Sequence, residues 1–250
     1  MSYQIKKKYY DNGNIRSKIY YLNNKIHRED GPARVLYNMD GGIRAKSYYI
    51  DGKRHREDGP AYIAYDKDQK IEYKYYAING KRHREDGPST IEYYKNGNIE
   101  TEEYSLNNEL HREDGPARIE YYDTGEIMTE SYYLNNKCHN NNGPAAIYYY
   151  ENGNIKSKRY YANNKVHRED GPAYVKYDVT GRAYYEEYYV DGINLTQKYY
   201  EYKNKLTNRM IKLQKDINKL KIMKLVCQEN NDKELLELIE NKIITHALAL

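Results

Sequence analysis

Four side chains able to move protons, bind a metal or pair as ions stand in a row at His111-Arg112-Glu113-Asp114, followed by Gly115-Pro116-Ala117. The same seven letters recur at 27–33, 55–61 and 167–173, and the copy at 83–89 differs only in ending on Ser89. At 139–145 the histidine and Gly143-Pro144-Ala145 remain, while Asn140, Asn141 and Asn142 replace all three charges. A histidine beside carboxylates could do acid–base work or ligate a metal at each copy. The same letters also make a turn: proline holds the glycine before it extended, and Asp can bond amides around the bend. Stacked turns would then set Arg and Glu of neighbouring copies side by side as an ion-pair ladder. The fifth copy discriminates between the readings, because charges that vanish as a group are charges that pair with one another. A catalytic centre is also not laid out six times along an open edge, so the chain reads as a non-enzyme with no metal and no cofactor. The expected turn ladder comprises His27, Arg28, Glu29, Asp30, Gly31 and Pro32, with His55, His83, His111, His139 and His167 and with Pro60, Pro88, Pro116, Pro144 and Pro172.

What positions these loops is a repeat. The histidines are spaced by 28 residues without insertion, the signature of an array of identical units. Counting each unit from its histidine, positions 11 and 22 are Tyr in all six copies, position 9 is Val or Ile, and position 17 is Ile until Ala183. Positions 9 and 11, and again 22 and 24, share a face with polar residues between them, which is strand periodicity on β-favouring types. Turn pairs separate the strands: Asn12-Gly13, Asp40-Gly41 and Asn96-Gly97 at the first turn, Asp51-Gly52, Asn79-Gly80 or Asn107-Asn108 at the second. Both read as tight hairpin turns. Positions 17 and 22 differ in parity, which predicts a bulge or irregular residue between them. Residues 1–26 fit as a unit lacking its front. The fold expected for 1–196 is therefore mainly β, an elongated array of antiparallel hairpins in six full units and one partial one, extending roughly 65 Å at about 4.8 Å per strand.

The pattern stops after Asp191-Gly192. Leu206, Met210, Leu213, Ile217 and Leu220 step by 4, 3, 4, 3, an amphipathic helix. Asn231 and Glu234 are spaced as a capping box opening a second helix with Leu235, Leu236, Ile239, Ile243 and Ile244. Residues 197–250 thus read as a helical hairpin that caps the array, with a dimer seam as the alternative, since the stripe has heptad spacing.

The 250 residues carry a formal charge of +4. The tail from 197 holds 11 Lys and Arg against 7 Asp and Glu, which leaves 30 against 30 in the array. A neutral array suits nucleic acid poorly. The basic stretch 198–224, with Lys203, Lys205, Arg209, Lys212 and Lys219, could touch an anionic membrane or nucleic acid, although a solvated helix face ranks first. Met223 and Cys227 there read as helix-packing residues. Cys138 and Cys227 have neither metal nor disulfide spacing. With no signal peptide and no long apolar run, a soluble reducing compartment is expected.

Tyr occurs 34 times, with no Phe or Trp, and mean hydropathy is −1.12. Tyrosines at 11 and 22 are expected to pack the buried face. Those at 12 and 23, such as Tyr122, Tyr133, Tyr150 and Tyr161, should face the other way as a candidate interaction surface for sugars, cations or protein. That second ladder is interrupted by Asn38, Asp66, Ala77 and Ser105, so simple solvation is favoured.

Units such as Tyr149-Tyr150-Glu151-Asn152-Gly153-Asn154-Ile155, then Tyr160-Tyr161-Ala162-Asn163-Asn164-Lys165-Val166-His167, resemble the MORN repeat in a variant form over roughly 1–194. MORN units run shorter, with His-Gly where this chain has His-Arg-Glu-Asp-Gly-Pro, so the family's close stacking need not carry over unchanged. The longer version resembles repeat proteins of large DNA viruses of amoebae and of some phages and bacteria. The resemblance implies an elongated antiparallel sheet serving as a scaffold, sometimes tied to membranes or lipids, and supplies no catalytic residue. The function expected is a protein-binding or assembly module, in a viral setting a virion component or a host-facing scaffold in the host cytoplasm. Self-association is expected, if anywhere, through the C-terminal helices.

Overall fold

The computed structural model describes residues 3–229 and 233–247. The expected cap residue Asn231 and the side chains of Cys227 and Leu236 lie outside the described residues. The chain forms two compact units, Met1–Ile193 and Asn194–Leu250.

The first unit is one antiparallel sheet in which, among the described residues, fourteen strands follow each other in chain order, with Lys25–Ile26 paired off this path. Four-residue strands at positions 8–11, such as Arg118–Tyr121, alternate with five-residue strands at 17–21, such as Ile127–Ser131. The register is the same in every copy. Arg118, Ile119 and Glu120 face Ser131, Glu130 and Thr129, but Tyr121 faces Ile127, leaving Met128 as the extra residue of a bulge. The parity break between 17 and 22 is thus a bulge at position 18, found again at Arg44 and Lys156.

Three sequence expectations need correction. In the full units the strand does not continue through positions 22 and 24, whereas in the partial unit Ile15–Leu22 runs through both. In the full units the amide of the tyrosine at position 22 leaves the ladder and donates to the carbonyl of residue 7 in the next copy, as Tyr104 does to Ala117 at 2.7 Å. Beyond it, positions 23–24 and 27–28 close a separate short hairpin, such as Tyr133–Leu134 with Lys137–Cys138.

Only that second turn is a two-residue hairpin turn. Both of its central residues have positive φ, as in Asn135 (49°) and Asn136 (63°), which is why Asn-Asn and Asp-Gly alternate there. At the first turn, residue 12 donates to the carbonyl of 16 and residue 15 to that of 12, and 15 is the single left-handed position. It is a wider three-residue loop ending in a glycine, or in Gln69 at φ 62°.

The tyrosines at 11 and 22 also do not form the core. They are half-buried, apart from Tyr20, which is buried, and Tyr9 on the first strand, which is exposed. The buried positions are small: residue 7 (Ala33, Ala61, Ser89, Ala117, Ala145, Ala173) is fully inaccessible, with Val or Ile at 9 beside it. A single sheet has little depth, and small side chains at the close approach of successive copies fill what there is.

The second unit is a helix pair, α1 (Thr196–Glu229) and α2 (Lys233–Ala247). The Asn194 side chain accepts the Thr196 amide at 2.9 Å and so opens α1. Among the described residues of the pair Ile217 and Ile239 are buried, and Lys224 meets Glu240 at 2.7 Å. The front of the apolar stripe, Leu206 and Met210, is exposed, as are Met223, Leu235 and Ile244.

Candidate functional site: the charged loops along the sheet

Each His-Arg-Glu-Asp loop is stitched between two copies through its backbone. The His111 amide donates to the carbonyl of Tyr104, one unit back, and the Arg112 amide donates to that of Tyr133, at 3.0 and 3.1 Å. This fixes the side chains. The Arg112 guanidinium lies 4.0 Å above the ring of Tyr104, and the equivalent stacks at Arg28, Arg56, Arg84 and Arg168 measure 4.0–4.2 Å. Its Nε donates to Asp114 Oδ1 at 2.7 Å, and Nη1 donates to the Pro116 carbonyl at 3.4 Å. Hydrogen bonding from arginine holds Asp30, Asp58, Asp86, Asp114 and Asp170 below the usual carboxylate range.

The histidine has a different task. In five of the six loops its Nδ1 accepts the amide of position 25, at 3.1 Å for Asp51 and 3.2 Å for Asn79 and Asn135, whereas His83 Nδ1 is buried without a partner. In the neutral ring this leaves the proton on Nε2, which faces the glutamate of the same loop at 3.4–4.0 Å. The expected ladder between Arg and Glu of neighbouring copies is therefore absent from these loops. Arginine pairs with the aspartate two residues on in its own turn, because the stack on the preceding unit's tyrosine points the guanidinium back over the glycine. Histidine, not arginine, meets the glutamate.

The uncharged fifth copy keeps this wiring. Asn140 Nδ2 donates to the Pro144 carbonyl at 3.0 Å, as Arg84, Arg112 and Arg168 do in their loops, and its Oδ1 accepts the Asn142 amide. Asn141 lies 2.8 Å from His139 Nε2 in the place of glutamate.

Between successive loops lie open clefts. Those floored by Tyr48 and Ile50, by Tyr76 and Ile78, and by Tyr104 and Leu106 enclose about 780, 550 and 660 Å³, with Glu and Asp of two loops on the rims. The rim glutamates Glu57, Glu85 and Glu113 are 83–85% exposed. Among the described residues no group of three or more His, Cys, Asp or Glu is placed to hold a metal ion.

The candidate tyrosine surface is not an exposed ladder. Tyr122 and Tyr150 are half-buried, and their hydroxyls donate to the carbonyls of Tyr149 and Tyr177 in the next copy at 2.8 and 2.9 Å. Tyr133 is half-buried, and burial raises its pKa. Tyr161 is half-buried, beside Arg159, whose guanidinium lies 4.4 Å from the ring of Tyr174 and is held charged by both tyrosines. Sequence reasoning missed these stitches, and also the clamp in which Asn96 and Asn98 both donate to the Asp123 carbonyl, at 2.7 and 2.8 Å. Their signal was Tyr-x-Asn-Gly-Asn, present in the copies at 10–14, 94–98 and 150–154. The basic residues Lys203, Lys205, Arg209, Lys212 and Lys219 are exposed on α1. No helix of the described residues is long and apolar enough to cross a membrane.

No family model matches this chain, and no curated protein matches it either.

Proposed function

We propose that the chain is a non-enzymatic interaction and assembly scaffold, a variant MORN-like array that presents one kind of cleft at a constant pitch. The observation that carries this reading is the recurrence of that cleft between successive loops, each with a tyrosine and aliphatic floor and exposed carboxylates on its rim. Such a surface favours a protein partner carrying basic residues at matching intervals, and multivalency supplies the affinity. The likeness to repeat proteins of large DNA viruses supports a virion-associated or host-facing role. Carbohydrate binding by an exposed tyrosine ladder loses support, because Tyr122 and Tyr150 spend their hydroxyls on the next copy.

The test is affinity purification from the native source with the full-length chain. The affinity of the recovered partner is then measured for chains from which whole 28-residue units, such as 83–110, have been excised. Stepwise weakening is expected. Complete loss on removal of one particular unit and no other would mean a single site and would overturn the reading.

A further inference from the structure

The sheet has two edges, and they match. Among the described residues, Gln4–Tyr9 and Ala183–Glu187 end the strand order. Gln4–Tyr9 holds repeat positions 6–11 of the partial unit, and Ala183–Glu187 holds positions 17–21 of the last one. At each of the six junctions between successive units, a strand of the second kind pairs antiparallel with a strand of the first. The register is constant, with 21 opposite 8, 20 opposite 9 and 19 opposite 10.

We infer that a second copy of this chain docks its Gln4–Tyr9 edge on the Ala183–Glu187 edge of the first, continuing the sheet head to tail across molecules. This rests on the scaffold reading, and names a second copy as one partner. In the internal register, Glu187 faces Lys6, Glu186 faces Lys7 and Tyr185 faces Lys8.

Each of the outer two pairings has a precedent inside the array. Glu103 and Arg118 stand at positions 21 and 8 of one junction and form an ion pair at 3.4 Å. Position 10 lysine over position 19 tyrosine reproduces the chemistry of Lys176, whose ammonium lies 4.9 Å from the Tyr185 ring. Lys7 stands where the internal copies carry Val or Ile, and within its own chain it lies directly opposite Lys18. Like charges opposed across a ladder repel, and Glu186 would relieve that repulsion.

Glu186 and Glu187 are half-buried and are oriented by neighbouring tyrosines. Glu186 accepts from the Tyr188 hydroxyl, and Glu187 from those of Tyr185 and Tyr189. Every residue of Gln4–Tyr9 is exposed, and Tyr184 and Tyr185 are 64% and 41% exposed. Symmetric docking is disfavoured, because like edges would set three lysines against three lysines, or glutamates against glutamates. A head-to-tail contact of unlike edges leaves an edge of each kind open for the next copy, so it builds a chain or ring of copies rather than a two-fold dimer. The competing role for Lys6, Lys7 and Lys8 is to keep a bare edge from pairing at all.

The test uses the full-length chain. Its mass is followed by sedimentation against concentration, in low salt and in high salt. A carbodiimide that joins amines to carboxylates in contact is then applied to a mixture of isotopically labelled and unlabelled chains. A ladder of masses that shrinks in high salt is expected, with intermolecular Lys6–Glu187 and Lys7–Glu186 links. The variant K6E/K7E and the variant E186K/E187K should each associate about tenfold or more weakly alone, and a mixture of the two should regain the ladder because every junction is again of opposite charge. The regain also shows that both variants are folded. A wild-type chain that stays monomeric, links that map elsewhere, or association that both variants keep would overturn the inference. Any of these would leave the scaffold reading standing if a foreign partner still responds to unit deletion.

Discussion

Gly115 and Gly143 occupy the same position in two loops that differ in charge, and an alanine should act on them in opposite directions. Neither has positive φ, so the backbone accepts a side chain at both. Gly→Ala at a compatible site stabilises by about 0.4–1 kcal/mol through the unfolded chain. At Gly143 the nearest atom to a new Cβ is Asn140 Nδ2 at 3.7 Å, ordinary contact, so that gain should appear in full. At Gly115 the Cβ would sit 3.0 Å from Arg112 Cζ and 3.1 Å from Nε. Arg112 cannot yield freely, since Tyr104, Asp114 and the Pro116 carbonyl hold it on three sides. Losing the stack costs about 0.5–1 kcal/mol, and losing the carbonyl bond about as much again. Net destabilisation of about 1 kcal/mol is expected for G115A, and the two substitutions should differ by about 1–2 kcal/mol. For an array of this length, about 2–4 °C in Tm corresponds to each kcal/mol. The assay is thermal and urea unfolding of G115A, G143A, R112A and R112A/G115A. In the R112A background the alanine at 115 should become as favourable as it is at 143. Equal shifts of the same sign for G115A and G143A would refute the claim that the guanidinium is clamped over the glycine.

Three further outcomes are expected. The five paired aspartates have folded pKa values below their ordinary 3.8, so their contribution is complete above that value and is lost as pH falls through the lower folded range; melting against pH should show this acid limb, and replacing a second loop by Asn-Asn-Asn should flatten it. Burial pushes Tyr75 up to about 12 from 10.0, so the unfolded chain releases its proton first and stability should fall between about pH 10 and 12, less steeply in Y75F. Tyr122→Phe strands the Tyr149 carbonyl and should cost about 0.5–1.5 kcal/mol by urea unfolding, whereas Tyr184→Phe, at an exposed edge, should cost nothing measurable.

The period, the hairpins and their number were readable because the histidine spacing and the Tyr and Ile positions are fixed by one repeating set of contacts. The bulge was readable too, since parity must break somewhere between positions 17 and 22. What could not be read is how the polar groups divide their partners. An arginine two residues before an aspartate looks the same whether it pairs locally or with the next copy. The stack on the tyrosine at position 22, set by backbone bonds between units, decides it. The tyrosines misled for a related reason. An amphipathic side chain at position 12 can be exposed or can lay its ring along the sheet and use its hydroxyl, and only the position of the next carbonyl distinguishes these.

The fifth loop separates what the fold needs from what it merely carries. Asn140, Asn141 and Asn142 reproduce the bonds to the proline carbonyl, within the turn and to histidine without any charge. Geometry therefore requires donors and acceptors at these places, not ions. Yet the other five loops hold Arg, Glu and Asp and leave the glutamate largely in solvent, with side-chain exposure of 60–85%. Exposed glutamates contribute little to stability. On the proposed scaffold reading, their value lies in what approaches the clefts from outside. Neutralising Glu57, Glu85 and Glu113 to Gln should accordingly leave Tm within about 1–2 °C while weakening the capture of a basic partner; a large loss of Tm with unchanged capture would place the charge in the fold and not in the interface.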